Sequence, residues 1–210
     1  MSTFFVHSCC SDQNRIDFYC LGVLKHLNAK GLFPMAKTRV SVFLDGANFF
    51  YMQKDRLHWW IDPNKLLDFI HKEFDGELVD ANYYLGVPPE IDEKTQNYHS
   101  ALTHMGYTLS TKTLRPVNDQ GTERYKANLD VDIVHDMLVS IDNYDIAVLV
   151  SGDIDFEKIL MTLKSRGKRF IIMSTQGFAA REILRLAGNS FIDFNTIREE
   201  VEKENQKQSA

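Results

Sequence analysis

Cysteine is scarce in this sequence, and its placement does not suggest a cross-linked or zinc-binding protein. The 210 residues include three cysteines, Cys9, Cys10 and Cys20. No CxxC spacing occurs, three is an odd number for a disulfide framework, and the spacing offers no fourth zinc ligand. We therefore predict reduced thiols in a peripheral segment.

Long apolar runs are also absent from the sequence. No stretch approaches the roughly 18 consecutive apolar residues that a membrane-spanning helix needs. Near the N-terminus, Asp12 and Asp17 interrupt the basic-then-apolar order of a signal peptide. We therefore expect a cytoplasmic protein without a membrane partner.

Several nucleotide-binding and hydrolase motifs are missing. The sequence has no Walker-A, GxGxxG or GxSxG pattern, which argues against P-loop, dinucleotide-binding and α/β-hydrolase proteins. Its net charge is −5, so the overall balance does not advertise nucleic-acid binding. This counts only mildly against a nucleic-acid partner, because an acidic cluster that binds a divalent cation would contribute several of those charges.

What the sequence does contain is the strand–helix alternation of an α/β domain, with 44% hydrophobic and 25% charged residues. Apolar or alternating runs predict strands at 39–44, 77–87, 107–114, 147–150, 168–173 and 190–194. Helical periodicity separates most of these strands, and residues 116–126 are predicted to form a polar loop. The order predicts a doubly wound, mainly parallel sheet with helices on both faces. The strand at 107–114 is polar on both faces, which indicates an edge strand.

Composition divides the chain into three regions. Residues 1–34 contain no predicted strand, and we expect a dispensable extension upstream of a natural start at Met35; a docked N-terminal helix is the alternative. Residues 35–197 form the predicted domain. Residues 198–210 are mostly charged, and we expect a frayed helical tail there.

Acidic residues follow two of the predicted strands. Asp45 comes directly after the strand at 39–44, and Asp153 and Asp155 follow the wholly apolar run at 147–150. In an open α/β sheet, residues just past the carboxyl ends of strands at the switch point line the ligand crevice. If these two strands are neighbours, Asp45 and Asp153 face each other across that crevice.

A helix predicted over residues 130–142 adds the acids Asp130, Asp132 and Asp136. At about 100° per residue, its predicted buried arc holds Val131, Val134, Leu138 and Ile141, flanked by Ile133 and Met137. Asp130 falls inside this arc at the first turn, whereas Asp132 and Asp136 point away from it together. We therefore predict that Asp130 joins the crevice, and the roles of the other two acids stay open.

Clustered carboxylates repel one another, so bringing them together favours a bound cation. Oxygen ligands suit hard divalent ions such as Mg²⁺ or Mn²⁺. Such an ion lowers the pKa of a bound water and stabilises charge on a phosphoryl group under attack. The pattern therefore favours phosphodiester hydrolysis.

Each of these residues also has a purely structural interpretation. Asp155 could cap the helix that it begins, and Asp45 could belong to a simple turn. Asn48 could orient a carboxylate or a water, or cap a helix. The aromatic residues at 49–51 and 59–60 are interpreted as core or groove wall, with stacking on bases as the alternative.

Three segments, in order along the chain, resemble the NYN domain family, in particular its LabA-like branch among the PIN-like nucleases. They are LDGAN at 44–48, KANLDVDIVHDML at 126–138 and VSGDIDF at 150–156. Residues 191–193 are similar to the closing strand of that family, and the resemblance covers about residues 38–197.

The resemblance implies a PIN-like sheet with strand order 3-2-1-4-5 and a metal-dependent ribonuclease that acts on RNA, which we expect to be single-stranded. By position in the motifs, the catalytic and metal-binding acids of the family, with Mg²⁺ or Mn²⁺ as the ion, correspond to Asp45, Asp130, Asp153 and Asp155, and Asn48 stands beside them. The link that precedes Asp130 is longer than is usual in the family, which leaves the position of Lys126 open.

Basic residues in segments that adjoin the crevice are candidates for phosphate contacts, with solvated surface charge as the alternative for each. They are Arg115, Arg124, Lys126 and Arg181. A homo-oligomer or a protein partner stays open as well.

Two other functions compete with the leading ribonuclease hypothesis. One is a catalytically weak regulatory module of the same fold that binds nucleic acid or protein. The other is a phosphatase of the haloacid-dehalogenase kind, which needs Asp-x-Asp after the first strand. Here Asp45 is followed by Gly46 and Ala47, so the second acid of that pair is missing.

Overall fold

The computed structural model of this protein describes residues 37–119 and 122–204, and for residues 117–119 and 122–124 it describes the backbone alone. The predicted extension at 1–34 and the three cysteines lie outside the described residues. Within the described part, no helix combines the length and apolar character that crossing a membrane requires.

The strands of the described residues form two separate sheets. They are β1 (Arg39–Asp45), β2 (Glu77–Val87), β3 (Thr108–Thr113), β4 (Arg115–Asp119), β5 (Thr122–Lys126), β6 (Ile146–Val150), β7 (Arg169–Ser174) and β8 (Phe191–Asp193). Six of them form a parallel sheet in the order β3-β2-β1-β6-β7-β8. Strands β4 and β5 pair as an antiparallel hairpin.

Helices connect the strands. They are α1 (Gly46–Met52), which continues as a π-helical segment (Gln53–Leu57), α2 (Pro63–Phe74), α3 (Glu93–His104), α4 (Asp130–Val139), α5 (Glu157–Ser165), α6 (Arg181–Ala187) and α7 (Arg198–Val201). Short 3₁₀ turns lie at Ile154–Phe156, Gly188–Ser190 and Phe194–Thr196. Helix α2 begins where the sequence predicts, because Asp62 caps its N-terminus and Pro63 occupies its first position.

The predicted α/β class and parallel sheet are confirmed, with some differences in detail. If the hairpin strands β4 and β5 are left out and the remaining strands are numbered in chain order, β6 and β7 become the fourth and fifth strands. The order is then the predicted 3-2-1-4-5, and β8 extends the sheet beyond β7. Strand β3 lies at an edge, as its polar faces predict. The prediction of a loop at 116–126 is wrong, because this segment forms most of an antiparallel hairpin. Its pairs run from Arg115 opposite Lys126 to Asp119 opposite Thr122. Strand prediction relies on apolar alternation, which a polar hairpin lacks.

The central strands bury side chains on both faces of the sheet. On β1, Val42 packs into one hydrophobic cluster and Phe43 into the other, and Val148 and Leu149 of β6 divide in the same way. All four side chains are fully or almost fully buried. Because β1 and β6 are paired neighbours, their carboxyl ends are held side by side.

Helix α4 buries a face that is rotated from the predicted arc and shares part of it, since Val134 and Ile141 pack in the core as predicted. Val131 is 70% exposed and Leu138 is 41% exposed, whereas Ile133 and Met137 are fully buried. The helix carries two overlapping apolar series, and periodicity alone does not choose between them; the buried cluster beneath α4 does. Asp130 still lies on the buried side, three residues before Ile133 and seven before Met137.

Residues 198–204, which were predicted to belong to a frayed tail, pack on the domain instead. Val201 is fully buried, and Glu202 forms an antiparallel bridge with Ile61. The packed domain therefore continues past residue 197. A single apolar residue in a charged segment has no periodicity, which is why the sequence does not reveal this docking.

We expect Ile133→Ala to lower the free energy of unfolding by about 2–5 kcal/mol, because it leaves a cavity in the core. The matched variant Val131→Ala should change it by less than about 0.5 kcal/mol, because that side chain lies at the surface. Chemical denaturation of both variants and the wild type measures these values. A larger loss of unfolding free energy for Val131→Ala than for Ile133→Ala would contradict the burial described here and favour the predicted arc.

Candidate functional site

The carboxyl ends of β1 and β6 lie side by side, at the position where an open α/β sheet has its ligand crevice. Their register pairs Leu44 with Val150, so Asp45 and Ser151 are the next residues along the two strands. Ser151 Oγ donates a hydrogen bond to Asp45 Oδ2 at 3.2 Å, and both residues are buried. A buried carboxylate therefore joins the two strand ends.

Asp45 also begins helix α1. Its Oδ1 accepts a hydrogen bond from the backbone N–H of Asn48 at 3.1 Å, which is an N-cap. The helix can start directly at the strand end because the next residue is Gly46. A Cβ at that position would overlap the carbonyl oxygen of Tyr84. The simple turn considered for Asp45 is thus a helix cap that leaves the second carboxylate oxygen for Ser151.

Asn48 holds the loop that follows β6. Its Oδ1 accepts a hydrogen bond from the backbone N–H of Gly152 at 3.0 Å. A Cβ on Gly152 would overlap Ala179, and the carbonyl of Gly152 accepts a hydrogen bond from the N–H of Ala180 at 2.9 Å. Asn48 lies beside the acids as predicted, and its contacts are those of a residue that positions the loop carrying Asp153.

Asp153 and Asp155 occupy different positions after β6. Asp153 Oδ1 accepts a hydrogen bond from the N–H of Asp155 at 3.1 Å and caps the 3₁₀ turn. The N–H of Asp153 donates to Ser151 Oγ at 3.2 Å. Asp153 is half-buried and Asp155 is exposed. The capping role considered for Asp155 therefore belongs to Asp153.

Asp130 approaches the same crevice from α4. It is the first residue of that helix and is half-buried, and its N–H donates to Asn128 Oδ1 at 3.2 Å. Burial raises the pKa of Asp130, and the charges of Asp153 and Asp155 raise it further. Three separate segments thus bring carboxylates within electrostatic reach of one another.

Ionised Asp45 is energetically costly at this position. Burial is the first cause, and with Asp130 and Asp153 it raises the pKa of Asp45 from 3.8 to about 6. The hydrogen bonds from Asn48 and Ser151 oppose this rise without cancelling it. The folded chain therefore holds a negative charge that a cation would stabilise.

Asp132 and Asp136 have partners of their own. Lys112 Nζ lies 2.8 Å from Asp132 Oδ2, and it donates to the carbonyl of Asn128 at 2.8 Å. Tyr84 Oη donates to Asp136 Oδ2 at 2.9 Å. These contacts tie α4 to β2 and β3, so the two acids help to position α4 and the crevice carboxylate at its start.

The carboxylates fit a hydrated hard cation better than a cage of protein ligands. Among residues 37–119 and 122–204, no three His, Cys, Asp or Glu side chains are placed to hold one metal ion together. Mg²⁺ commonly keeps several waters and binds through one or two carboxylates. The oxygen-only donors and the costly charge of Asp45 suit that mode of binding.

Of the four basic residues considered for phosphate contacts, three have side chains that the structure describes. Arg115, Lys126 and Arg181 are exposed, and none of these three is hydrogen-bonded to a crevice acid. The side chain of Arg124 lies outside the described part. These residues stay candidates for contacts with a bound ligand.

Three residues with a part in the site were missed as functional candidates. Ser151 stands in the same motif as Asp153, so its position one residue past a buried strand was a usable signal. Lys112 and Tyr84 had no such signal, because their partners on α4 are distant in sequence.

The fold is a doubly wound α/β domain with acidic side chains beside the carboxyl ends of its central strands. A family model for the NYN domain matches residues 39–198, and the chain belongs to the NYN domain family. The resemblance found in the three sequence motifs is thereby confirmed.

One relative agrees with the predicted branch of the family. The low amplitude and bright protein LabA of Synechococcus elongatus is 38% identical to this chain over 169 residues, which cover 79% of this chain and 89% of LabA. Among solved structures, a protein of unknown function from Vibrio parahaemolyticus matches with a TM-score of 0.64 and 21% identity, covering 77% of this chain and 96% of that one. This second likeness shows the fold.

The raised pKa of Asp45 predicts a pH-dependent stability. Between about pH 4 and 6 the folded state binds more protons than the unfolded state, so the free energy of unfolding falls as pH rises. Asp45→Asn removes this titration. Relative to wild type, we expect the variant to gain up to about 3 kcal/mol between pH 4 and pH 7 in metal-free buffer.

Urea denaturation at several pH values, in EDTA, measures this gain. Asp68→Asn is the matched control, since Asp68 is an exposed carboxylate on α2 and lines a shallow cavity with Lys37 and Gly76, remote from the crevice. A difference between Asp45→Asn and wild type that stays constant with pH would contradict the assignment.

Proposed function

We propose that this protein is a divalent-cation-dependent ribonuclease that hydrolyses phosphodiester bonds of RNA. The observation that carries the proposal is the buried carboxylate of Asp45 at the end of β1, whose charge is opposed by burial and by the nearby charges of Asp130 and Asp153. Membership of the NYN family supports it, since the sequence motifs resemble those of PIN-like nucleases.

In this proposal the carboxylates of the crevice have different roles. Asp45, Asp130 and Asp153 hold Mg²⁺ or Mn²⁺ through one or two direct contacts and through water. A bound ion of this kind supplies a water of lowered pKa and stabilises charge on the phosphoryl oxygens. Asp155, which is exposed within the turn that Asp153 caps, orients the attacking water or completes the set of acids.

The positioning residues act through these acids. Asn48 fixes the loop that carries Asp153, and Ser151 hydrogen-bonds to Asp45. Protonation of Asp45 competes with cation binding, and burial favours the protonated form by raising the pKa of this carboxyl. A higher pH therefore favours the cation-bound form, and we expect activity to increase with pH.

A second candidate is a regulatory module of the same fold that binds nucleic acid or protein and has little catalytic activity. It is favoured by one observation: within the described residues, no three potential ligands are arranged around a single metal position. In this case the crevice would bind a cation weakly or not at all.

We expect the wild type to cleave a labelled single-stranded RNA in Mg²⁺ or Mn²⁺, and Asp153→Asn to lose about 100-fold or more of that activity through loss of electrostatic stabilisation. Asp68→Asn should retain wild-type activity, and EDTA should abolish cleavage by both proteins. Gel analysis of the products with time measures each rate. Equal rates for Asp153→Asn and wild type would place the activity elsewhere, and RNA binding without cleavage would favour the regulatory module.

Cation binding can be tested without catalysis. Mn²⁺ at 100 times its dissociation constant stabilises a folded protein by about 2.7 kcal/mol, so we expect it to raise the melting temperature of the wild type and of Asp68→Asn. Asp45→Asn and Asp153→Asn should show a smaller rise. Calorimetric melting curves with and without Mn²⁺ provide the measurement. Equal rises in melting temperature for all four proteins would show that Asp45 and Asp153 do not bind the cation.

A further inference from the structure

One further acid lies at the carboxyl edge of the parallel sheet, outside the proposed chemistry. Asp193 is the last residue of β8 and is half-buried. Strand β8 pairs with β7, and β7 pairs with β6, so Asp193 lies two strands, roughly 10 Å, from the end of β6. At that distance, any effect of Asp193 on the crevice acids has to pass through the loop that follows β7.

The carboxylate of Asp193 is hydrogen-bonded by the segments on both sides of it. Its Oδ1 accepts from Thr175 Oγ1 at 3.0 Å and from the N–H of Asn195 at 2.9 Å, and its Oδ2 accepts from the N–H of Gln176 at 3.0 Å. Asn195 Nδ2 donates to Thr175 Oγ1 at 2.7 Å and to Asp193 Oδ1 at 3.2 Å. A carboxylate has about four acceptor positions, so the hydrogen-bonding capacity of Asp193 is used within the protein.

These hydrogen bonds fix the start of the loop after β7, which spans residues 175–180. Thr175 is fully buried, and its backbone carbonyl accepts hydrogen bonds from the N–H groups of Phe178 and Ala179, each at 3.1 Å. Thr175 therefore begins a tight turn, and the hydroxyl that donates to Asp193 belongs to the first residue of that turn. The position of the whole loop depends on where this residue is held.

The loop after β7 in turn holds the residue that precedes Asp153. The N–H of Ala180 donates to the carbonyl of Gly152 at 2.9 Å, and a Cβ on Gly152 would overlap Ala179. The N–H of Gly152 donates to Asn48 Oδ1 at 3.0 Å. Both backbone polar groups of Gly152 are thus fixed, one by α1 and the other by the loop after β7, and Asp153 is the next residue along the chain.

We propose that Asp193 is a positioning residue of the crevice. Through Thr175 and the loop after β7 it fixes Gly152, and it thereby holds Asp153 where a divalent cation binds. This proposal rests on the proposed ribonuclease function and deepens it, because it assigns a role to an acid that lies outside the crevice. Residues that hold the ligands of a metal ion in place typically account for about 10- to 100-fold in metal affinity or activity.

The first test measures how firmly the loop after β7 is held, in EDTA and without RNA. Hydrogen exchange followed by NMR gives the protection of the Ala180 amide, which is divided by the protection of the buried amides of β1 to correct for global stability. We expect Asp193→Asn to lower this ratio about ten-fold or more, because its amide group places a donor where Thr175 or Gln176 needs an acceptor. Thr175→Val, which lacks the hydroxyl, should lower the ratio as well, and Thr175→Ser, which keeps the hydroxyl, should retain it.

Asp145→Asn is the matched control for both tests. Asp145 is also a carboxylate that accepts several hydrogen bonds, from the N–H and the guanidinium of Arg39, but it directly precedes β6 at the opposite edge of the sheet. This variant should lower global stability and leave the Ala180 ratio at the wild-type value. A wild-type ratio in Asp193→Asn would overturn the proposal, and if Asp193→Asn does not fold, a wild-type ratio in Thr175→Val would overturn it.

The second test measures cation binding in the absence of RNA. Titration with Mn²⁺ in a calorimeter gives the affinity of each protein. We expect Asp193→Asn and Thr175→Val to bind Mn²⁺ about 10- to 100-fold more weakly than the wild type, and Thr175→Ser and Asp145→Asn to bind it as the wild type does. Equal affinities in Asp193→Asn and the wild type would overturn the proposal, because the loop would then not govern Asp153.

The two tests distinguish a failure of this proposal from a failure of the ribonuclease proposal. If the wild type neither binds Mn²⁺ nor cleaves RNA, the ribonuclease proposal fails, and the exchange ratio still decides whether Asp193 fixes the loop. If the wild type and Asp193→Asn cleave RNA at equal rates while Asp153→Asn does not, the ribonuclease proposal stands and the role of Asp193 is overturned.

Discussion

Burial of the Asp45 carboxylate is the constraint on which the site depends. The carboxylate accepts the N–H of Asn48 and the hydroxyl of Ser151, so one buried side chain both begins α1 and ties the end of β1 to the end of β6. Each hydrogen bond contributes on the order of 1 kcal/mol, and burial of an unpaired carboxylate costs several. The fold therefore keeps a charge that it does not itself balance, and the raised pKa of Asp45 is the sign of this cost.

Close backbone approach makes this arrangement possible. Gly46 lets the first turn of α1 press on the backbone of β2, and Gly152 lets the loop after β7 pack directly on the loop after β6. Asn48 then links α1 to Gly152. Because these loops are held to paired strands, the acids that they carry are positioned before any ligand arrives, which is the condition for electrostatic catalysis.

Helix α1 gives its two faces different roles. Its inner residues Phe49 and Met52 anchor it on the sheet, and its outer residues Phe50 and Tyr51 are exposed. The same short helix is capped by Asp45.

The sequence by itself determined the central strands and the acids at their ends, because apolar runs buried on both faces end abruptly where Asp45 and Asp153 stand. Only the tertiary structure decided which series on α4 is buried, because Ile133 and Val131 are both apolar and packing chooses between them. The pairing of Lys112 with Asp132, the hairpin of β4 and β5, and the docking of Val201 also follow from tertiary structure. Each of these depends on polar or isolated residues that meet distant partners, and such contacts leave no local period in the sequence.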